Sequence, residues 1–324
     1  MPALVDVMIK KYFLGFCWSA LLLSAAWGAD DYPSRTIQMI VPNGPGGGTD
    51  TFGRVIAQRL SERINQKVVV DNKPGAQAGI GTAFGARAVP DGYTLTVALT
   101  SSVAVTPFLI PNLEYDALKD FVAVAIGVDQ PFVLVTSIGS PYDDLQGLVA
   151  FANKKSTPAT FASTSSQTEL VGSLFGQLAA IKTLSVPYKN ASTAVIELAR
   201  GDVDVMVASL PSAMPLVNAG KLKAIAVTGI ERVPALPNIK TSTESGFPNF
   251  LASSWYGILA PKGTPDAVVK ILNHHINQIL DMPDVQATLL KAGMSVAKGS
   301  PEEFALRIKE DYERWGDVVR RQQK

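Results

Sequence analysis

The apolar, β-branched run at 36–41 (Thr-Ile-Gln-Met-Ile-Val) breaks directly into the glycine-dense stretch Pro42-Asn43-Gly44-Pro45-Gly46-Gly47-Gly48-Thr49-Asp50. Beyond it Phe52, Val55, Ile56, Leu60 and Ile64 recur at helical spacing. A strand, a tight turn and an amphipathic helix follow one another with no room for anything else. Glycines let the backbone turn sharply and approach another molecule without a Cβ in the way. The helix start beyond them offers unpaired N–H groups and a partial positive charge, the outline of an anion pocket. A nucleotide reading is poor, because the loop has no lysine and Thr49 stands where G-x-G-x-x-G needs its third glycine. A carboxylate is the more natural guest, although a purely structural strand-to-helix turn is the alternative. Asp50 reads as a helix-start residue near the macrodipole rather than an acid in chemistry.

The same grammar returns. An apolar run at 67–70 ends in Asp71-Asn72-Lys73-Pro74-Gly75, and Gly75, Gly79 and Gly81 lead into a helix reaching about Ala88. After the Pro90-Asp91-Gly92 turn, 93–99 reads as a third strand, closed by Thr100, Ser101 and Ser102. Alternation of this kind predicts an α/β chain with a largely parallel sheet, its loops gathered at the C-terminal ends of the strands. Further on, 142–154 reads as a helix and 159–163 as a strand, before the hydroxyl-rich loop Ser163-Thr164-Ser165-Ser166-Gln167-Thr168 and a helix with Leu170, Val171, Leu174, Phe175 and Leu178 on one face. Strands are expected at 184–188, 203–207 and 222–228, with a helix at 192–200. Two apolar stretches, 121–136 and 253–260, read as crossings between lobes, the first interrupted at Gly127–Pro131 by a hinge. Thr264, with Pro265 after it, reads as the cap of one late helix, and Ser300-Pro301-Glu302-Glu303 as the capping box of another that carries Phe304, Ile308, Trp315 and Val319. Two crossings make the first lobe discontinuous: residues 29–129 and 254–324, with 130–253 as the second.

With 47% apolar and 18% charged residues in 324, the chain can bury a core in each of two lobes. Its first 28 residues read as a signal peptide: Lys10 and Lys11, an apolar run from Tyr12 to Leu23, then Ala26-Trp27-Gly28, with cleavage after Gly28 or after Ala26. Its removal takes away Lys10, Lys11 and Asp6 and leaves acidic and basic residues in balance, so nucleic acid is not an expected partner. The one cysteine, Cys17, lies in that segment, which leaves the mature chain without thiol chemistry. The expected location is the periplasm. There is no Gly-x-Ser-x-Gly elbow and no metal-site spacing; Ser295-Val296-Ala297-Lys298 lacks the companion motifs of its class, and His274 and His275 are neighbours on a helix that face different directions. Neither an enzyme nor a metal or other cofactor is expected. An interaction module of the same fold is the remaining alternative class.

Ile40-Val41-Pro42 through Gly46-Gly47-Gly48-Thr49-Asp50, Asp71-Asn72-Lys73-Pro74-Gly75-Ala76, Pro90-Asp91-Gly92-Tyr93-Thr94-Leu95, Val186-Pro187-Tyr188-Lys189, Gly201-Asp202-Val203-Asp204, Trp255-Tyr256-Gly257 and Ala260-Pro261-Lys262-Gly263-Thr264-Pro265 together resemble the Bug, or TctC-like, receptors of tripartite tricarboxylate transporters. The resemblance runs in order over essentially the whole mature chain. It implies a type II periplasmic-binding-protein fold, two α/β lobes joined by two crossing strands, and a small carboxylate held in the cleft between them; hinge closure of the second lobe over the acid is the mechanism we expect. The resemblance implies membrane permease subunits as partners, and a monomer is expected. Carried onto this chain, the ligand-binding residues are Asn43, Gly44, Gly46, Gly47, Thr49 and Asp50; Lys73, Gly75, Ala76, Gln77 and Ala78; and Ser163, Thr164, Ser165, Ser166 and Thr168. The hydroxyl cluster after the third strand adds Thr100 and Ser101 as candidates from the residues themselves. Two departures from the family pattern stand out. Asn43-Gly44 replaces an aromatic residue followed by small or proline residues, which leaves room for a larger or flatter acid. In the second lobe a short Ser/Thr loop ends in Glu169 where the family has a histidine, and Glu169 is expected to point away from the ligand.

Overall fold

The protein is described here by a computed structural model covering residues 32–46, 48–188 and 191–322. The expected signal peptide and Gly47 lie outside the described residues, and every element below belongs to the unit that begins at Arg35. The first half opens with β1 (Ile37–Val41), α1 (Gly48–Ile64), β2 (Val68–Asn72), α2 (Gly79–Ala86) and β3 (Thr94–Leu99). β1 pairs with β2 on one edge and β3 on the other, all parallel. That is the expected consequence of strand–helix–strand crossovers. A π-helical turn, Ser101–Val105, and a single turn α3, Thr106–Leu109, follow β3 where the sequence shows only a hydroxyl cluster.

The long strand β4 (Phe121–Ser137) then leaves the first half. The expected interruption at Gly127–Pro131 is not a break. The strand runs through it, with register shifts at Ala123/Ala125 and Ile126/Val128. A Cβ on Gly127 would lie 2.3 Å from the Phe52 ring, so the glycine is there to admit an aromatic side chain. The second half comprises α4 (Leu145–Lys154), β5 (Ala159–Ser163), α5 (Ser166–Leu178), β6 (Thr183–Pro187), α6 (Ala191–Arg200), β7 (Val205–Ser209), α7 (Leu210–Asn218) and β8 (Leu222–Val227). The chain returns through β9 (Ser253–Pro261), which inserts antiparallel between β3 and β4, and ends with α8 (Asp266–Leu280), α9 (Pro283–Lys291), β10 (Ser295–Val296) and α10 (Pro301–Gln322). The continuous strand order is β2-β1-β3-β9-β4-β7-β5-β6, with β8 and β10 also on β4. Two parallel halves therefore share the crossing strands β4 and β9. This is the two-lobed α/β arrangement expected.

The ends of the helices follow local chemistry. Ser300 accepts from the Glu303 N–H at 3.1 Å and Glu303 accepts from the Ser300 N–H at 2.8 Å, the reciprocal box read from sequence. The cap expected at Thr264 is not one: its hydroxyl donates to the Pro261 carbonyl at 2.8 Å and closes a turn, and Pro265 occupies the cap position. One apolar core runs from Phe161, Phe175 and Phe250 to Trp255, Phe304 and Trp315. A second packs Val133, Val135 and Met206 of the sheet against Ala194 and Leu198 of α6.

Candidate functional site

Three loops at the C-terminal ends of parallel strands build the candidate site. After β1, the loop is fastened from inside by Asp50, which is almost wholly buried. Its carboxylate accepts from the Gly46 N–H at 3.0 Å, Arg54 Nε at 2.9 Å and Asn72 Nδ2 at 2.9 Å, and Asn72 also donates to the Asn43 carbonyl. Burial alone raises this carboxyl, but the hydrogen bonds from Arg54, Gly46 and Asn72 outweigh it and bring its pKa to about 2. Asp50 therefore shapes the loop, its carboxylate engaged by three protein donors. A carboxyl held below its unfolded value of 3.8 stabilises the fold at neutral pH and loses that contribution as pH falls from about 4 towards 2. We expect Asp50→Asn to cost about 2 kcal/mol at pH 6 and to flatten the acid limb. Urea unfolding at pH 6 and pH 3 measures this: an equal loss at both pH values contradicts it.

Thr49 is buried and its hydroxyl bonds to Tyr256 of β9, which also meets Ser254. Burial pushes the Tyr256 phenol up against these bonds. A Cβ on Gly48 would sit 3.1 Å from the Tyr256 hydroxyl. Tyr256 thus closes the floor beneath this loop. It stands outside the residues picked from sequence, although the Trp-Tyr-Gly motif contained it. Asn43 and Gly44 are half-buried and Gly46 is exposed.

The second loop turns left-handed through four residues: Gly75 at φ 132°, then Ala76, Gln77 and Ala78 at 46°, 52° and 72°. For non-glycine residues this costs roughly 1–2 kcal/mol each. The loop is held by Gly79 N–H to Ala76 carbonyl at 2.8 Å, and by the hydroxyls of Thr82 and Thr106 donating to the carbonyls of Ala78 and Gln77 at 2.8 and 3.1 Å. Lys73 does not reach out as a free cation. Its ammonium lies 3.0 Å from Asp71 and 4.3 Å over the Phe84 ring. Behind β3, Thr100 is fully buried and accepts from the Trp255 N–H at 3.0 Å, which leaves the half-buried Ser101 as the more accessible hydroxyl.

The third loop caps α5. Ser165 Oγ accepts from the Thr168 N–H at 3.2 Å, and Thr168 Oγ1 accepts from the N–H groups of Thr164 and Ser165 at 3.1 and 3.0 Å. The Ser165 and Thr168 hydroxyls are therefore engaged locally, and Ser163 Oγ lies 3.3 Å from Ser185 Oγ. We expect Ser165→Ala to cost about 1 kcal/mol of stability through the lost cap, readable as a lowered urea midpoint at unchanged slope. An unchanged midpoint contradicts the capping role. Ser166 differs: its hydroxyl donates to Gln77 Oε1 at 3.0 Å, joining the third loop to the second. Glu169 is exposed. The described residues expected from sequence thus lie at the ends of four strands, β1, β2, β3 and β5, and among them the Ser166–Gln77 hydrogen bond joins one half to the other.

Two cavities open elsewhere. One of about 530 Å³ borders the crossing strands at Asp129, Pro131 and Ser253 and is walled by Arg307, Asp311 and Arg314 of α10. A smaller one of about 280 Å³ lies around Tyr142 and Asp204. Neither is lined by the three loops, of which the second and third meet through Ser166 and Gln77. Among the described residues no cluster of three or more His, Cys, Asp or Glu side chains could hold a metal. Ser295 sits in β10 while Lys298 is paired with Asp281 at 2.5 Å. His274 and His275 lie with ring centres 5.7 Å apart on α8.

Two parallel α/β halves sharing two crossing strands, with loops at strand ends turned towards one another, define a two-lobed solute-binding protein of the periplasmic type. The chain belongs to the tripartite tricarboxylate transporter receptor family, whose model matches residues 52–323. It is 38% identical over 322 residues to a Pseudomonas sp. protein encoded in the tcbD-tcbE intergenic region, covering 98% of this chain and 96% of that one. It is 36% identical over 301 residues to BugT of Bordetella pertussis, covering 92% of each. Among solved structures, an R. palustris protein with adipate superposes with a TM-score of 0.76 at 29% identity, covering 90% of this chain and 98% of the other. MatC of Rhodopseudomonas palustris with bound malate gives 0.73 at 31%, covering 89% and 100%. The family is a periplasmic receptor family that binds solutes.

Proposed function

We propose that this protein captures a small carboxylate between its lobes, residues 29–129 with 254–324 on one side and 130–253 on the other, and delivers it to the membrane permease subunits of a tripartite transporter. The observation that carries the reading is the Ser166–Gln77 hydrogen bond at 3.0 Å, which sets the start of α5 against the left-handed loop before α2. Strained loops and helix N-termini that face each other supply oriented N–H donors for an anion. The bound acids of two related structures, adipate and malate, belong to the same chemical class. No arginine lies within the three loops, so the binding energy comes from N–H and hydroxyl donors rather than from an ion pair. The protein works as a monomer, reaches the periplasm through its N-terminal signal peptide and catalyses no reaction. Asn43 and Gly44 set the width of the pocket.

The test is a thermal-shift screen of mono-, di- and tricarboxylates and aromatic acids, with adipate and malate included. An acid at about 100 times its dissociation constant raises the unfolding free energy by about 2.7 kcal/mol. If no acid moves the transition and titration calorimetry finds no heat, the carboxylate reading fails.

A further inference from the structure

Helix α10 is tied to the returning crossing strand at three alternate positions. The Arg314 guanidinium donates to the Leu251 carbonyl at 2.7 Å, Arg307 donates to Ser253 Oγ at 3.0 Å, and Trp255 Nε1 donates to Asp311 at 2.7 Å. Ser253 and Trp255 are alternate residues of β9, so their side chains share a face, while Leu251, just before the strand, is held through its carbonyl. The other crossing strand joins the same group, because Asp129 of β4 faces Trp255 in register and lies 3.7 Å from Arg307. At the centre is Asp311, whose side chain is 3% exposed. It accepts from Arg307 Nε at 2.9 Å and from Arg314 at 2.5 Å as well as from Trp255. One buried carboxylate therefore bridges two arginines, with Asp129 as a second counter-charge beside Arg307, and each arginine in turn holds a different point of the chain that joins the halves. Tyr256, which floors the first binding loop, is the residue next to Trp255 and points to the opposite face of the same strand.

We propose that Asp311 is a positioning residue for ligand capture: it fastens α10 to both crossing strands and so sets the resting angle between the lobes, although it touches no ligand. The proposal rests on the two-lobe receptor reading, but its test needs no acid. Removing the negative charge takes away the counter-charge that Arg307 and Arg314 share, leaving Arg307 only the longer pair with Asp129. The ties at 251 and 253 then have no fixed anchor, and the crossing strands are free to bend at the point where they pass from one half to the other.

The experiment measures the distance between two spin labels by pulsed electron resonance, with Cys17 replaced by Ser and label cysteines at the exposed positions Glu62 of α1 and Lys154 of α4. Without added acid, the otherwise unaltered protein is expected to give one narrow distance peak. Asp311→Asn is expected to lose that single peak in favour of a broad distribution with a longer component. Arg307→Lys, which keeps the charge but loses the planar fork, is expected to move part of the way, and it decides the matter if Asp311→Asn does not fold. An unchanged single peak in the folded variants, with only a lowered unfolding midpoint, overturns the proposal and leaves the network a purely stabilising one.

Discussion

Trp255→Ala is expected to lower the unfolding free energy by about 4 kcal/mol, the largest single-residue effect we foresee in this chain. Trp255 is fully buried, and its ring stands edge-on to Phe304 with centres 5.1 Å apart at 87°. Truncation opens a void in the part of the core where β9, α10 and the Phe250 side of the second half meet, and those elements cannot all collapse into it. The indole N–H that Asp311 accepts is lost as well, so a buried carboxylate surrenders one of its three donors. Trp255→Phe separates the two effects. It keeps most of the volume and loses the hydrogen bond, and about half the destabilisation is expected. Urea titrations of both variants, compared at constant slope, check the order. A loss below about 1 kcal/mol for Trp255→Ala would mean that the site repacks and that the junction is far softer than its burial implies.

Gly81→Ala is the second, and its consequence is functional. A methyl group there would lie 2.7 Å from the Lys73 carbonyl oxygen and 2.7 Å from Pro42 Cα. Both obstacles are backbone, and they belong to the first and second binding loops. A side-chain neighbour could swing aside, whereas here the loops themselves must part. Strain of about 1–3 kcal/mol is expected, together with at least a tenfold loss of affinity for whichever acid the screen identifies, since ~1.4 kcal/mol of misalignment is enough for that. Calorimetric titration of Gly81→Ala at a temperature where it is fully folded provides the measurement. Wild-type affinity in a folded variant would separate the two loops from the binding site.

Much of this architecture is visible in the residues. The strand–glycine–helix grammar is local, and β1, α1, β2, α2 and β3 fall where the periodicity puts them because apolar spacing and turn chemistry act over a few residues. The crossing strands are legible as apolar runs too long for their neighbours, but the continuity of β4 through Gly127–Pro131 is not. Only the Phe52 ring, contributed by a helix 75 residues earlier in the chain, explains why a glycine sits there. The short helix Pro283–Lys291 and the π-helical turn Ser101–Val105 escape a reading that looks for long periodic segments. For the candidate site, the loops are readable while the employment of individual side chains is not. Ser165, Thr168, Thr100 and Lys73 look alike on paper as polar loop residues. Each turns out to be engaged by a cap, a strand N–H or an acidic and aromatic pair, according to partners 2 to 155 residues away.

The insertion of β9 between β3 and β4 has a further meaning for how this chain is made. Residues 94–99 and 121–131 flank a gap that only residues 253–261 can fill. During synthesis or refolding, the early sheet waits with two unpaired edges until more than 100 further residues have arrived, so its closure is a long-range event and a slow one. Until then those edges are open to pairing with other chains. A chain that ends before Ser253 carries its first three strands and much of the second half, and it is expected to aggregate rather than fold.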